Sequence, residues 1–280
     1  MTAPPPLCAR PGGVFFESDI QREGRMTPAK IIAVANQKGG VGKTTTAVNV
    51  AASLAAAERR VLIVDADPQG NTSSGVGVDR DSVVRSIYEL FTGSAGITDV
   101  LTKTQMPNLT LCPSTVDLFG AEVELVGRPA REWILKKAID SIKDNYDYVI
   151  IDCPPALGLL TVNALTAADS VLVPVQCEYY ALEGLSQLMR TLDLVRNSLN
   201  PGLEIEGILL TMHDARNNLS RQVEDEVRGH FGEKVYRTVI PRNVSLSEAP
   251  SFGKPIIMYD IRSKGAQSYL SLAKEVLEHA

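Results

Sequence analysis

The chain has little cysteine: four in 280 residues, at Cys8, Cys112, Cys153 and Cys177, with no close pair among them. That spacing excludes a zinc ligand set and a disulfide framework, and it fits reduced thiols in a cytoplasm. The three histidines, His213, His230 and His279, form no ligand spacing either. No apolar run approaches the roughly 20 residues needed to span a bilayer. Near the N-terminus the longest is residues 14–16, far short of a signal-peptide core. A soluble, cytoplasmic protein is the expectation. Excess positive charge is missing too, with 28 Lys and Arg against 33 Asp and Glu and a net charge of −5. Any binding of nucleic acid must therefore come from a local patch. What remains is ordinary: 44% hydrophobic and 22% charged residues, with 21 Gly and 16 Pro, exclude wholesale disorder and low-complexity scaffolds. The length suffices for one large domain or two small ones.

Residues 1–28 stand apart. Pro4, Pro5, Pro6, Pro11, Gly12 and Gly13 with scattered charges give no period. The segment reads as a disordered tail, or as sequence upstream of a start at Met26. Residues 29–280 read as one domain. Residues 31–35 form a short apolar run that ends at a glycine-rich turn, as a buried parallel strand does. Helix formers follow over 44–57 and a second strand over 61–64, which makes a βαβ unit. Further strand-like runs lie at 109–111, 148–151, 170–175, 205–210 and 235–240. Helical stretches lie near 131–143, 181–199, 219–231 and 266–278. This alternation predicts an α/β fold: a doubly wound, mostly parallel sheet with helices on both faces.

Lys38-Gly39-Gly40-Val41-Gly42-Lys43-Thr44-Thr45 follows the first strand and opens the first helix. In that context glycines let successive backbone N–H groups point into one concavity, and the helix N-terminus adds partial positive charge. Lys43 can then reach the β- and γ-phosphates of a nucleotide, while the Thr44 hydroxyl ligates Mg²⁺. The string departs from the common G-x-x-x-x-G-K-[ST] pattern, because Gln37 stands at the first glycine and Lys38 adds a second cation.

KGGVGKT resembles the deviant Walker A box of the ParA/MinD group of P-loop ATPases, in which the extra lysine reaches across a sandwich dimer to the partner's nucleotide. The resemblance runs along nearly all of residues 30–280. Val61-Leu62-Ile63-Val64-Asp65-Ala66-Asp67-Pro68-Gln69-Gly70-Asn71 is similar to that group's second acidic motif. Tyr148-Val149-Ile150-Ile151-Asp152-Cys153-Pro154-Pro155 is similar to its Walker B motif. Residues 174–185 and 240–250 are similar to the chromosomal ParA (Soj) branch. Asp65, Asp67 and Asp152 each end an apolar strand, at the edge where open α/β sheets bind ligands. Asp152 is best placed to hold Mg²⁺ through a water. Asp67 resembles the residue that positions the attacking water, and Asp65 supports the Mg²⁺ water shell. ATP is favoured over GTP because no Asn/Thr-Lys-x-Asp string is present. By resemblance Pro241, Arg242 and Asn243 belong to the loop against the adenine.

The resemblance further implies an ATP-dependent homodimer on the nucleoid that binds double-stranded DNA without sequence preference. It also implies a ParB-like partner that stimulates hydrolysis, in chromosome or plasmid partition. Between His213 and Lys264 nine basic residues face seven acidic ones, a balance that by itself suits a solvated surface. Arg216 matches a family arginine implicated in DNA contact, and Arg221, Lys254, Arg262 and Lys264 are the other candidates. Close relatives often carry arginine where Ser245 stands, which removes one expected phosphate contact. Two alternatives stand beside this reading. A MinD-like ATPase would bind membranes through its C-terminal helix, yet this chain ends in a short, acid-containing segment. An iron–sulfur reductase needs cluster cysteines, and neither Cys153 nor Cys177 lies in such a motif.

Overall fold

The computed structural model describes residues 28–178 and 181–279. Apart from Pro28, the N-terminal segment 1–28 lies outside them. β1 (Lys30–Val34) runs through the glycine-rich turn into α1 (Lys43–Ala56), and β2 (Val61–Asp65) closes the first βαβ unit. Next come α2 (Asn71–Gly75), α3 (Ile87–Thr92), α4 (Ile97–Val100), the two-residue β3 (Thr102–Lys103) and β4 (Leu109–Cys112). They are followed by α5 (Leu118–Glu124), α6 (Ile134–Asp140), β5 (Tyr148–Asp152), α7 (Leu159–Ala167) and β6 (Ser170–Gln176). Then follow α8 (Ala181–Ser198), β7 (Glu204–Thr211), α9 (Asn218–Phe231), α10 (Val244–Glu248), α11 (Ile256–Tyr259) and α12 (Lys264–Glu278).

The seven strands form one sheet in the order β3-β4-β2-β5-β1-β6-β7, parallel except for β3. β2 and β5 are buried at every residue, which is why they read as unbroken apolar runs instead of alternating ones. Successive side chains still serve opposite faces. Ile31, Ala33, Leu62, Val64, Val149 and Ile151 join the layer containing α3 and α5 to α9. Ile32, Val34, Val61, Ile63, Tyr148 and Ile150 join the layer formed by α1 and α12. The doubly wound architecture is therefore the observed one. β1 lies between β5 and β6, with β2 reached on one side and β7 on the other, so its carboxyl end opens at a topological switch point.

Two expected elements differ. Residues 235–240 do not form a strand; Val235 bridges to Ile208 of β7, and Tyr236 N and Ile240 N donate to the Ile208 and Leu210 carbonyls on either side of a break. The backbone N–H groups of Arg237 and Thr238 donate to the Glu275 carboxylate at 2.9 and 2.8 Å, which removes them from the ladder. The expected helix over 131–143 is split into a 3₁₀ turn at Arg131–Trp133 and α6. Ala130 sits at φ 55° just before it, and Asn163 holds the junction, donating to the Arg131 carbonyl and accepting from Leu135 N. β3 and the short helices carry too little periodicity to be read in advance.

Gly207 is where the missing strand would meet the sheet, and a Cβ there would run into the Tyr236 ring. Gly207→Ala should therefore overpack the contact and destabilise the protein by about 1–3 kcal/mol. Urea unfolding should show a lower midpoint at unchanged slope.

Candidate nucleotide site

The site begins with Asn36, just past the carboxyl end of β1. Its Nδ2 donates to the Pro174 carbonyl of β6 at 2.7 Å, and its Oδ1 accepts the Lys38 N–H at 3.0 Å. This buried amide fixes where the glycine-rich loop departs. Gly40 at φ 75° and Gly42 at φ 88° occupy the left-handed region, which a Cβ disfavours. Gly39 and Gly40 are exposed, and side chains built there would meet nothing within 4 Å. Thr211 at the end of β7 donates to the Val41 carbonyl at 2.9 Å and holds the apex in place. The loop then delivers Lys43 as the first residue of α1, with its Nζ 3.0 Å from the Lys38 carbonyl. Burial lowers the Lys43 pKa, against the opposing pull of Asp152 and Asp67.

Three carboxylates converge beneath this loop. Asp65 and Asp152 end adjacent strands in register, and neither is exposed. Asp65 Oδ2 accepts both the N–H and the hydroxyl of Ser73, at 2.8 and 2.7 Å. Its Oδ1 accepts only a long 3.3 Å bond from Asp67 N, which leaves lone-pair capacity for a water. Burial, with Asp152 nearby, pushes the Asp65 carboxyl up to about 7 despite those donors. Burial likewise raises Asp152 to about 6, while the Thr72 and Thr44 hydroxyls pull it back. Asp152 Oδ2 accepts from Thr72 Oγ1 at 2.7 Å. Its Oδ1 is buried with no hydrogen-bond partner among the described residues, and the Thr44 hydroxyl is near enough to act on the carboxyl. A buried carboxylate oxygen left without a donor calls for a cation or a cation-bound water. Thr44 and Asp152 therefore fit Mg²⁺. Asp67 is buried beside them, with Oδ1 accepting Gln69 N at 2.9 Å.

The loop of Pro241, Arg242 and Asn243 reaches the same edge by backbone pairing. His213 N donates to the Ile240 carbonyl, and Arg242 N donates back to the His213 carbonyl, both at 3.1 Å. Asn243 caps α10, its Oδ1 accepting Leu246 N at 3.2 Å. Sequence reasoning missed Asn36, Thr72, Ser73 and Thr211. Thr72 and Ser73 lie seven and eight residues after Asp65 in a polar run, and that spacing from a strand-end carboxylate was their only signal.

A family profile described as an AAA domain matches residues 29–205. The chromosome partitioning protein ParA of Myxococcus xanthus is 58% identical over 255 residues, covering 91% of this chain and 90% of that one. The sporulation initiation inhibitor protein Soj of Bacillus subtilis is 61% identical over 247 residues, covering 88% and 98%. The chain belongs to the ParA/Soj family of partitioning ATPases. A Mycobacterium smegmatis structure described as cobyrinic acid a,c-diamide synthase with bound ADP and magnesium superposes with a TM-score of 0.79. It is 40% identical, and the match covers 90% of this chain and 95% of that one.

The extra lysine of this ParA/Soj chain is half exposed, with Lys38 Nζ 3.3 Å from Glu178 Oε2. The basic candidates do not share one environment. Arg216 is exposed, but Asp214 clasps its guanidinium through two 3.0 Å bonds, and those bonds hold the Asp214 carboxyl down at about 2. Arg221 bonds Asn218. Lys254 lines a cavity of about 480 Å³ together with Thr44, Thr45, Asn71 and Arg80, against the phosphate-loop helix. Arg262 and Lys264 are exposed near the start of α12, with no ion pair among the described residues.

The carboxylate cluster sets a pH dependence. In protein free of nucleotide and magnesium, folded Asp152 keeps a proton that the unfolded chain releases near pH 4, so its contribution to stability falls as pH rises from about 4 to about 6. Asp152→Asn should remove that loss, so the stability difference between variant and parent should grow by about 1–3 kcal/mol across this range. Denaturant melts at stepped pH check it. A constant difference would mean that the carboxyl titrates normally.

Proposed function

We propose that the chain is an ATP-driven switch that binds DNA as a dimer and leaves it on hydrolysis, acting in partition of a chromosome or plasmid. The reading rests on one observation above all. The unpartnered Asp152 oxygen and the buried Lys43 share one buried edge of the sheet, beside a glycine loop held in left-handed backbone at Gly40 and Gly42. Mg²⁺ held by Thr44 and, through water, Asp152 supplies charge neutralisation at the phosphates when bound. Lys43 places a fixed positive charge toward the β- and γ-phosphates, and the backbone of residues 38–45 cradles them. Asp67 orients the attacking water. Asp65 holds α2 and Asp67 in place through Ser73 and the Asp67 N–H, and also serves the Mg²⁺ water shell. Pro241, Arg242 and Asn243 lie against the adenine. Lys38 exchanges Glu178 for the partner subunit's nucleotide when two copies face each other, and a ParB-like partner stimulates the hydrolysis that separates them.

The structure of the C-terminal helix supports DNA over membrane as the cargo surface. α12 turns Ala266, Tyr269, Leu272, Ala273 and Val276 into the core against α1, which leaves no apolar face for lipid. No helix among the described residues is long and apolar enough to cross a membrane. Cys153 and Cys177 are 1% and 4% exposed, so neither sulfur is at a surface where two subunits could share a cluster.

Lys43→Ala should abolish ATP binding measured by calorimetry. Asp67→Ala should keep it while slowing hydrolysis on the order of a hundredfold or more, because only the water loses its orienting group. Parent-like hydrolysis by Asp67→Ala would remove that residue from the chemistry.

DNA binding should require ATP and weaken linearly in log–log terms with salt, since it rests on counterion release. Arg216→Ala should reduce the slope by about 0.9, one phosphate contact, equally on all sequences, and Ser245→Arg should raise affinity. Anisotropy titrations across a salt series check both. ATP-loaded protein that ignores DNA at low salt and binds anionic vesicles would instead establish the membrane reading.

A further inference from the structure

Three consecutive residues at the end of β7 tie the two halves of the nucleotide site together. Thr211 bonds the phosphate loop through the Val41 carbonyl. His213, two positions on, pairs through its backbone with Ile240 and Arg242, on either side of Pro241. Met212 between them sits at φ 51°, in the left-handed region that residues other than glycine rarely adopt. Such a backbone persists only where its surroundings impose it. Part of that imposition comes from the His213 side chain. It is 10% exposed, and its Nε2 stands 3.0 Å from Glu224 Oε2 of α9. That buried nitrogen makes no hydrogen bond among the described residues, so the contact is ionic and holds when the ring carries its proton. Glu224 is itself fixed: its Oε1 accepts Arg228 Nε at 2.9 Å, and Arg228 donates to the Tyr236 carbonyl at 3.1 Å. The other titratable groups here are Arg242, Asp214, which Arg216 clasps, and Cys177 just past β6, whose thiol burial keeps protonated. Among the described residues, Glu224 is the ionic contact of the ring.

We infer that His213 is a positioning residue for the adenine end of the site. Paired with Glu224, it pins the loop of Pro241, Arg242 and Asn243 at a fixed distance from the phosphate loop, so nucleotide affinity depends on its charge. The pinning follows from the contacts above, whereas its effect on ATP rests on the reading that this loop lies against the adenine. Without the pair, the ring stops holding residues 212–213, the strained Met212 backbone relaxes, and the His213 carbonyl turns away from Arg242 N. The phosphates keep their partners, because Thr211 and the glycine loop are untouched. Histidine is the side chain that ordinarily changes charge between pH 5 and 8. The carboxylate favours the charged ring, so the pin is in place at low pH and is lost as pH rises. Exposed ion pairs contribute little, but this one is largely out of water and acts on a segment under strain.

Amide hydrogen exchange in the nucleotide-free full chain reads the pinning directly. Calorimetry with Mg²⁺-ATP and with inorganic tripolyphosphate reads its effect. His213→Ala should lower the protection of the Arg242 amide and weaken ATP about threefold to tenfold, while tripolyphosphate affinity stays at the parent value. Glu224→Gln, which can still accept from Arg228, should do the same, and the two changes combined should cost no more than either. His213→Lys should restore both readings. Lysine stays charged there, so the ATP affinity of the parent relative to His213→Lys should fall as pH rises from about 5.5 to about 8. Thermal melts establish which variants are folded, and Glu224→Gln and His213→Lys carry the test if His213→Ala is not. Unchanged Arg242 protection, or equal weakening of ATP and tripolyphosphate, would overturn the proposal. A flat pH profile would overturn the dependence on charge. Lowered protection with unchanged ATP affinity would leave the pinning standing and overturn the adenine-loop reading on which its effect depends.

Discussion

Two carboxylates and one ammonium share a small, dry volume at the carboxyl edge of the sheet, and the rest of the molecule is arranged around the cost of keeping them there. Asp65 and Asp152 stand side by side on β2 and β5 with no solvent exposure. Left alone, each would hold its proton, and burial moves both in that direction. Ser73, Thr72 and the Asp67 N–H donate to three of the four oxygens, and the fourth stays open. Lys43 lies close enough to be felt by Asp152 and is itself pushed toward neutrality by burial. Such a set is poised for a ligand that brings both a cation and phosphates, since each component satisfies a charge the protein leaves uncompensated.

The same contacts tie the site to distant surfaces. α2 begins right after the acidic motif and is held by Asp65 and Asp152 through Ser73 and Thr72. The turn after α2 packs on the segment that carries Lys254: a Cβ at Gly253 would come within 2.9 Å of Gly77 Cα. On the other side of that segment, Asn49 of α1 accepts Ile256 N at 2.7 Å and donates to the Thr45 carbonyl at 2.8 Å. Thr46 and Tyr269 join α1 to α12 through their hydroxyls, 3.2 Å apart. The phosphate-loop helix is therefore bonded to the elements bearing Lys254, Arg262 and Lys264. In the other layer, Glu122 connects α5 to the loop after Asp152.

Much of this was legible in the order of residues. Apolar runs ending in Asp or in a glycine turn identify β1, β2 and β5, because a strand buried on both faces has no reason to alternate and must end where polar groups reach the ligand edge. Lys38 to Thr45 announces its own geometry, since left-handed positions demand Gly40 and Gly42. Short elements were not legible. β3 has two residues, and α2, α4, α10 and α11 have five or fewer, too few for a period to emerge. Residues 235–240 have a strand's composition, yet the Glu275 carboxylate, nearly forty positions away, takes the Arg237 and Thr238 N–H groups and breaks the pairing with β7 between Tyr236 and Ile240.

What the sequence alone determined was the phosphate loop, the acidic strand ends and the parallel α/β class, because each depends on neighbours within one turn or one strand. Tertiary structure alone decided which carboxylate oxygen is left open, which cations are already occupied and which helix face stays bare. Lys38 is met by Glu178, 140 positions away; Val116, Phe119, Val123 and Val126 lie on the outside of the fold. Those outcomes turn on which donors and apolar surfaces the fold brings within a few ångströms, and no local pattern records that.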